Sequence, residues 1–319
     1  MRYVPYYELN DTPNIIVDGG ANPATRLTLS HWPHSGTPWP LKQDLSAQIV
    51  FRYLAEPDLQ IAVDAVSNNH FDEDGLVSLF AILNADRFRA MSELLIDVAA
   101  AGDFGTYHLR NAARIAFTIS AFGNRETSPL PAEIFDRSYP ETTAALYREM
   151  LERLPSMLDH PENFREYWEK EEESLIRSEE NIRNGRIRIE PVREIDLAVV
   201  LIPEGEKCHP MALHNATPCF RTLTMAGTAY EFKYRYETWV QYVSSPVIPR
   251  VDLAPLAERF SQQEGTRWTF DGVDAIVPAL YPEANHSVIA PDNLRRQIVE
   301  FLATAPAAWN PFDPRNGQD

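Results

Sequence analysis

Ser67-Asn68-Asn69-His70-Phe71-Asp72-Glu73-Asp74-Gly75-Leu76-Val77-Ser78 is the stretch whose reading decides the fold. The apolar run Leu59 to Val66 before it predicts a buried strand. Leu76 to Leu83 after it predicts a helix. His70, Asp72 and Asp74 alternate, so at an extended strand end they point the same way. One imidazole and two carboxylates on one side of a strand's carboxyl end suit a hard divalent cation. Gly75 lets the chain turn sharply into the helix. The same residues also suit a capped helix start, because carboxylates satisfy N-terminal amides. Matching ligands elsewhere in the chain decide between the two readings.

With 319 residues the chain exceeds the usual single domain, so two domains are expected. Its 44% apolar and 24% charged content is that of a globular protein with a large core. A formal net charge of -17 argues against coating a long nucleic-acid duplex, which depends on Lys and Arg releasing counterions. Cys208 and Cys219 make neither a disulfide framework nor a zinc site, and read as unpaired thiols. The N-terminus lacks a signal-peptide core, and no apolar run approaches the roughly 18 residues a membrane span needs. No membrane association and a cytoplasmic location are therefore expected.

Outward from the opening stretch, residues 1–13 read as an arm. Asn14 to Val17 and Arg26 to Leu29 read as strands ending in Asp18 and in Ser30-His31. Apolar residues at Leu45, Ile49, Val50, Tyr53 and Leu54 predict a helix from Asp44, with Asp44 as its N-cap. Phe88 to Ala101 and His108 to Phe122 predict further helices. Residues 124–140 predict a loop, and Glu141 to Asn184 predict charged helices with solvated faces, ended by Gly185. Strands are expected at Ile195 to Ile202, within Phe220 to Tyr236, at Trp239 to Val243 and at Arg267 to Phe270. Helices are expected at Val251 to Phe260 and Pro291 to Leu302, and a mobile tail over 306–319.

Strand-then-helix alternation over residues 14–122 predicts an α/β fold with a mostly parallel sheet and helices on both faces. A helical linker and a smaller α+β C-terminal domain follow it. The division is 1–125, 126–190 and 191–319. Ligands of such sheets bind outside the carboxyl ends of the strands. Asp18, His31 and the His70 cluster each sit where an apolar strand ends, and the turn holding Asp103 can reach the same edge. Asp18, His31, His70, Asp72, Asp74 and Asp103 are enough for two cations sharing a bridging carboxylate.

The opening stretch resembles the first motif of the DHH phosphoesterase superfamily, His-x-Asp-x-Asp-Gly with a small residue three positions on; here His70, Asp72, Asp74, Gly75 and Ser78. Ile15-Ile16-Val17-Asp18-Gly19 is similar to the family strand that ends in a metal-binding Asp. Leu29-Ser30-His31-Trp32-Pro33 with Asp44-Leu45-Ser46-Ala47 resembles the Asp-His-His strand and its following Asp-x-Ser-Ser-Ala. Gly102-Asp103-Phe104-Gly105-Thr106 resembles the family's last Asp motif. The order is circularly permuted, Ser30 and Trp32 replace two members of the Asp-His-His triplet, and the Gly-Gly-Gly-His segment is missing.

The resemblance implies two ions, manganese with magnesium as the other choice, and two-metal hydrolysis of a small phosphoester, nucleotide or short oligonucleotide. It also implies an associated substrate domain over the C-terminal part. His31 or His34 would donate a proton to the phosphate. Arg110, Arg114 and Arg235 would receive further phosphate oxygens, and Arg250 is a comparable candidate. Surface ion pairs are the alternative reading of the helical pair. The ladder Tyr230, Phe232, Tyr234 and Tyr236 would stack a base or simply pack. A DHH-like metal- or nucleotide-binding protein with altered catalysis, and a two-metal hydrolase of another bond, are the alternatives. A homodimer is compatible with all three.

Overall fold

A computed structural model describes residues 1–85 and 89–314. It forms two compact units, Met1–Glu173 with Tyr242–Ser244, and Ser174–Gln241 with Ser245–Asp319. Among the described residues no helix is long and apolar enough to cross a membrane. Cys208 and Cys219 are free thiols.

The first unit is built on four strands: β1 (Arg2–Tyr3), β2 (Asn14–Val17), β3 (Thr25–Leu29) and β4 (Ala65–Ser67). They lie in the order β1-β4-β2-β3, and every neighbouring pair is parallel. All four residues of β2 and all three of β4 are buried, as expected of strands covered on both faces. The arm is thus not free of the sheet, since its first residues pair with β4. The strand expected from Leu59 shrinks to Ala65–Ser67. Pro57–Leu59 instead forms a 3-10 turn, and Leu59 and Ile61 are exposed.

The helices of this unit are α1 (Ser46–Ala55), α2 (Glu73–Leu83), α3 (Ser92–Asp103), α4 (Arg110–Gly123), α5 (Tyr139–Asp159) and α6 (Arg165–Arg183). The two units divide within α6. Leu76, Val77, Leu79, Phe80, Ala81 and Ile82 are all buried, so α2 is apolar around its circumference and packs between α1 and α3. The expected start of α3 at Phe88 lies outside the described residues. Asp44 does not cap α1. Leu45 is the N-cap residue, and the Asp44 carboxylate accepts the amides of Val243 and Ser244.

The second unit carries a six-stranded mixed sheet in the order β5-β6-β7-β8-β10-β9. Its strands are β5 (Arg188–Val192), β6 (Leu197–Ile202), β7 (Arg221–Ala226), β8 (Ala229–Tyr234), β9 (Trp268–Phe270) and β10 (Ala279–Pro282). Only β6 and β7 run parallel, and α7 (Pro210–Ala216) lies in the crossover between them. Helices α8 (Ala254–Glu264) and α9 (Pro291–Thr304) share a core with Leu197, Leu223, Phe232 and Tyr234. Tyr230, Phe232 and Tyr234 are therefore packed inside, not offered to a base. The strand expected over Trp239 to Val243 is absent. The chain turns in a 3-10 helix at Tyr236–Thr238, and the Thr238 hydroxyl donates to the Arg235 carbonyl. Trp309 bridges Arg250, so the tail is tied to the second unit as far as that residue.

Arg250 is completely buried, and its site is a binding socket for a guanidinium, not for a ligand. Its nitrogens donate to the Thr238 hydroxyl and to the carbonyls of Val273, Ala275 and Ile276, and the Tyr234 and Trp309 rings lie alongside. A planar fork can serve four acceptors at once, whereas an ammonium cannot. Arg250→Lys should therefore destabilise the second unit by roughly 3 kcal/mol, read as a lower midpoint in urea unfolding.

Candidate metal centre

Because β1 to β4 are all parallel, their carboxyl ends share one edge of the sheet. Asp18 directly follows β2, His31 follows β3 by two residues, and His70 follows β4 by three. Asp72 and Asp74 open α2, and Asp103 is the last residue of α3. The structure therefore brings all six residues into one cluster.

His70 Nε2 lies 2.7 Å from Asp72 Oδ2 and 3.3 Å from Asp18 Oδ2. His31 Nε2 lies 3.4 Å from Asp18 Oδ1, 3.9 Å from Asp74 Oδ2 and 3.4 Å from Asp103 Oδ2. Two ligand sets result: Asp18, His70 and Asp72, and Asp18, His31 and Asp74. Within each, the donor atoms fall within 4.8 Å of one another. Asp18 belongs to both and turns one oxygen to each. Its backbone sits in the left-handed region, φ 44°, an uncommon state for a residue with a side chain and frequent at functional sites.

The cluster is held by groups that are not themselves candidate ligands. Ser46 Oγ donates to Asp18 Oδ1 at 2.7 Å. The Asp74 carboxylate accepts the amides of Ser46 and Ala47, at 2.8 and 2.7 Å, and so caps α1 from another element. Asp72 Oδ1 accepts the Gly75 amide and caps α2, which leaves Oδ2 for His70. The Tyr147 hydroxyl donates to the His70 carbonyl. His31 Nδ1 is 2.6 Å from the carbonyl oxygen of Asp44, a contact that requires Nδ1 to carry the proton. A neutral ring then aims its Nε2 lone pair at three carboxylates, an arrangement relieved by a proton held on Asp74 or Asp103 or by a cation between them. A backbone carbonyl behind a histidine is also the usual support of a metal ligand.

Electrostatics agree with that orientation. Burial lowers the pKa of His31 and so favours the neutral ring. Burial and the nearby Asp18 and Asp72 charges push Asp74 well above the carboxylate range. Burial, with Asp74, Asp72 and Asp18, does the same to Asp103. Burial also opposes ionisation of Asp18 and His70, but their mutual attraction prevails, together with Asp72. Asp18 falls to about 2 and His70 rises to about 11. Asp103 Oδ2 is buried and makes no hydrogen bond among the described residues. Carboxylate oxygens and imidazole nitrogens are donor types that a divalent cation such as manganese or magnesium takes, and binding at His70 would displace its proton.

The remaining sequence-predicted residues are not gathered here. His34 is exposed on a loop with φ 57°, and no hydrogen bond or ion pair joins it to the cluster among the described residues. Arg114 pairs with Glu172 and Glu162 and lies over the Trp168 ring, the ion-pair alternative. Arg110 lies over the Tyr107 ring. Arg235 is buried in the second unit, paired with Glu237. The sequence does not single out the Asp44 carbonyl or Glu73, and it places Ser46 only within a motif-like segment, without its bond to Asp18. Glu73 is buried behind the cluster, accepts from Ser120 Oγ, and is raised to about 7, chiefly by burial. Nothing in a Glu between two Asp residues signals that it faces inward.

Glu73 also braces α3. A Cβ added at Gly102, next to Asp103, would lie 2.5 Å from Glu73 Cβ. Gly102→Ala should therefore cost roughly 1–3 kcal/mol by overpacking and displace Asp103. The expected result is a lower melting temperature together with weaker Mn2+ binding by calorimetry.

A comparison with curated proteins finds no match for this chain. A family profile does match, over residues 1–313. The chain belongs to DUF6687, a family of unknown function.

Proposed function

We propose that this protein is a divalent-metal-dependent phosphoesterase that acts on a small phosphoester, nucleotide or short oligonucleotide. The observation that carries this reading is Asp18, shared between two ligand sets with one oxygen turned to each histidine. A bridging carboxylate flanked by imidazoles and further carboxylates is the arrangement that holds two cations close together. Asp18, His31, Asp74 and Asp103 on one side and Asp18, His70 and Asp72 on the other would hold such ions, which would supply a clamp on the phosphoryl oxygens and an activated water.

The residues of this chain have separate tasks. Asp18 would hold both ions at a fixed separation, with Ser46 Oγ setting its rotamer. His31 and Asp103 would complete the inner ligand set with Asp74, and the Asp44 carbonyl keeps His31 in the ligating tautomer. His70 and Asp72 would complete the outer set. Trp32, which stands in the altered triplet, lies against His70 with ring centroids 4.9 Å apart. It gives the outer side an aromatic wall.

Bis(p-nitrophenyl) phosphate tests the reading. Chelator-stripped protein should be inactive and should recover turnover with Mn2+. Asp74→Asn should lower the Mn2+-dependent rate by about 100-fold or more. Turnover that persists in chelator, or none with any divalent ion, would refute it. Binding should also be visible without catalysis. At a Mn2+ concentration about 100 times Kd, the native state gains about 2.7 kcal/mol, a rise of several degrees in Tm.

A further inference from the structure

We infer that the two cation positions differ in kind: a closed inner position that keeps its ion, and an open outer position that exchanges its ion and meets the substrate. This rests on the two-cation reading above and goes beyond it.

Burial separates the two sets. The side chains of His31 and Asp74 are fully buried, Asp18 is 1% exposed and Asp103 5%. His70 and Asp72 are 18% and 28% exposed. Among the described residues of the cluster, the His70 and Asp72 side chains are the ones that reach water.

Donor number points the same way. The inner set has three donors within 4.8 Å of one another, from Asp18, His31 and Asp74, and Asp103 Oδ2 stands beside them, 3.4 Å from His31 Nε2, as a further candidate. The buried Asp103 Oδ2, without a hydrogen bond, is aimed at His31 Nε2. Three of the four ligands are fixed from behind, by Ser46 Oγ, the Asp44 carbonyl and the amides of Ser46 and Ala47. The outer set has three: Asp18 Oδ2, His70 Nε2 and Asp72 Oδ2. Asp72 can offer only one oxygen, because the other caps α2. His70 Nδ1 has only a long contact, 3.4 Å, with Asn69 Oδ1. With three protein donors, the outer set would leave room for water or a substrate oxygen, as open metal sites do, whereas a closed site holds its ion structurally.

Trp32 makes the difference measurable. Its ring lies over His70, so an ion at the outer position sits close to an indole, and paramagnetic Mn2+ quenches nearby indole emission. The test is titration of chelator-stripped, full-length protein with Mn2+, following free Mn2+ by electron paramagnetic resonance and emission in parallel. Two uptake events should appear, with dissociation constants at least tenfold apart. The main quench should accompany the weaker one. Trp32→Phe should retain both events and lose that quench. Asp72→Asn keeps an acceptor for the Gly75 amide, so α2 stays capped, and it should lose the weaker event alone. Asp103→Asn should weaken the tight event at least tenfold.

Two events of equal affinity, or an Asp72→Asn protein that loses the tight event, would overturn the asymmetry and leave the two-cation reading standing. No Mn2+ uptake at all would remove both.

Discussion

Three carboxylates packed against one another in an apolar interior set the terms for the first unit. Asp18, Asp74 and Asp103 are all essentially buried, and His31 brings them a lone pair in place of a positive charge. Burying charge without a partner is costly, and the protein offsets part of that cost itself. Asp74 takes the first amides of α1, Asp18 takes a hydroxyl and an imidazole, and burial keeps Asp74 and Asp103 inclined to hold their protons. Among the described residues Asp103 Oδ2 receives no hydrogen bond. On the proposed reading, a divalent cation would answer this arrangement.

Sheet topology explains how residues from distant parts of the chain meet. With β4 between β1 and β2, the strand leading to His70 lies directly beside the strand leading to Asp18, and β3 brings His31 from the far side. In a parallel sheet each strand presents the same end to the same edge, so the order of the strands along the chain does not matter to the cage. The permuted order of the motif-like segments is therefore compatible with one cluster. Helix α1 is anchored to that cluster at its first turn through Asp74, and α2 through Asp72. Cage geometry and helix placement are thus one constraint.

Much of this was readable from residue types. Asp18, His31 and His70 end apolar strands, and Asp103 ends a helix in a glycine-flanked turn, so their convergence followed from an α/β pattern alone. What the sequence could not show were interactions without a side-chain signature. The Asp44 carbonyl orients His31, and any residue at 44 has a carbonyl. Ser46 and Glu73 are ordinary residues whose direction is set by packing. For Arg114 the ion-pair reading holds, but its partner Glu172 lies 58 positions away, too far along the chain to be named from spacing. The aromatic alternation in β8 was correct as a strand pattern, yet its meaning was burial. Two-residue β1 was too short to leave a periodic signal.

The most direct measurement is anomalous X-ray scattering at the manganese edge from crystals of the full chain soaked in Mn2+. The account predicts two peaks flanking the Asp18 carboxylate, one bounded by His31, Asp74 and Asp103 and the other by His70 and Asp72. A map with no anomalous peak at Asp18, at a Mn2+ concentration that saturates any binding seen in solution, would contradict it.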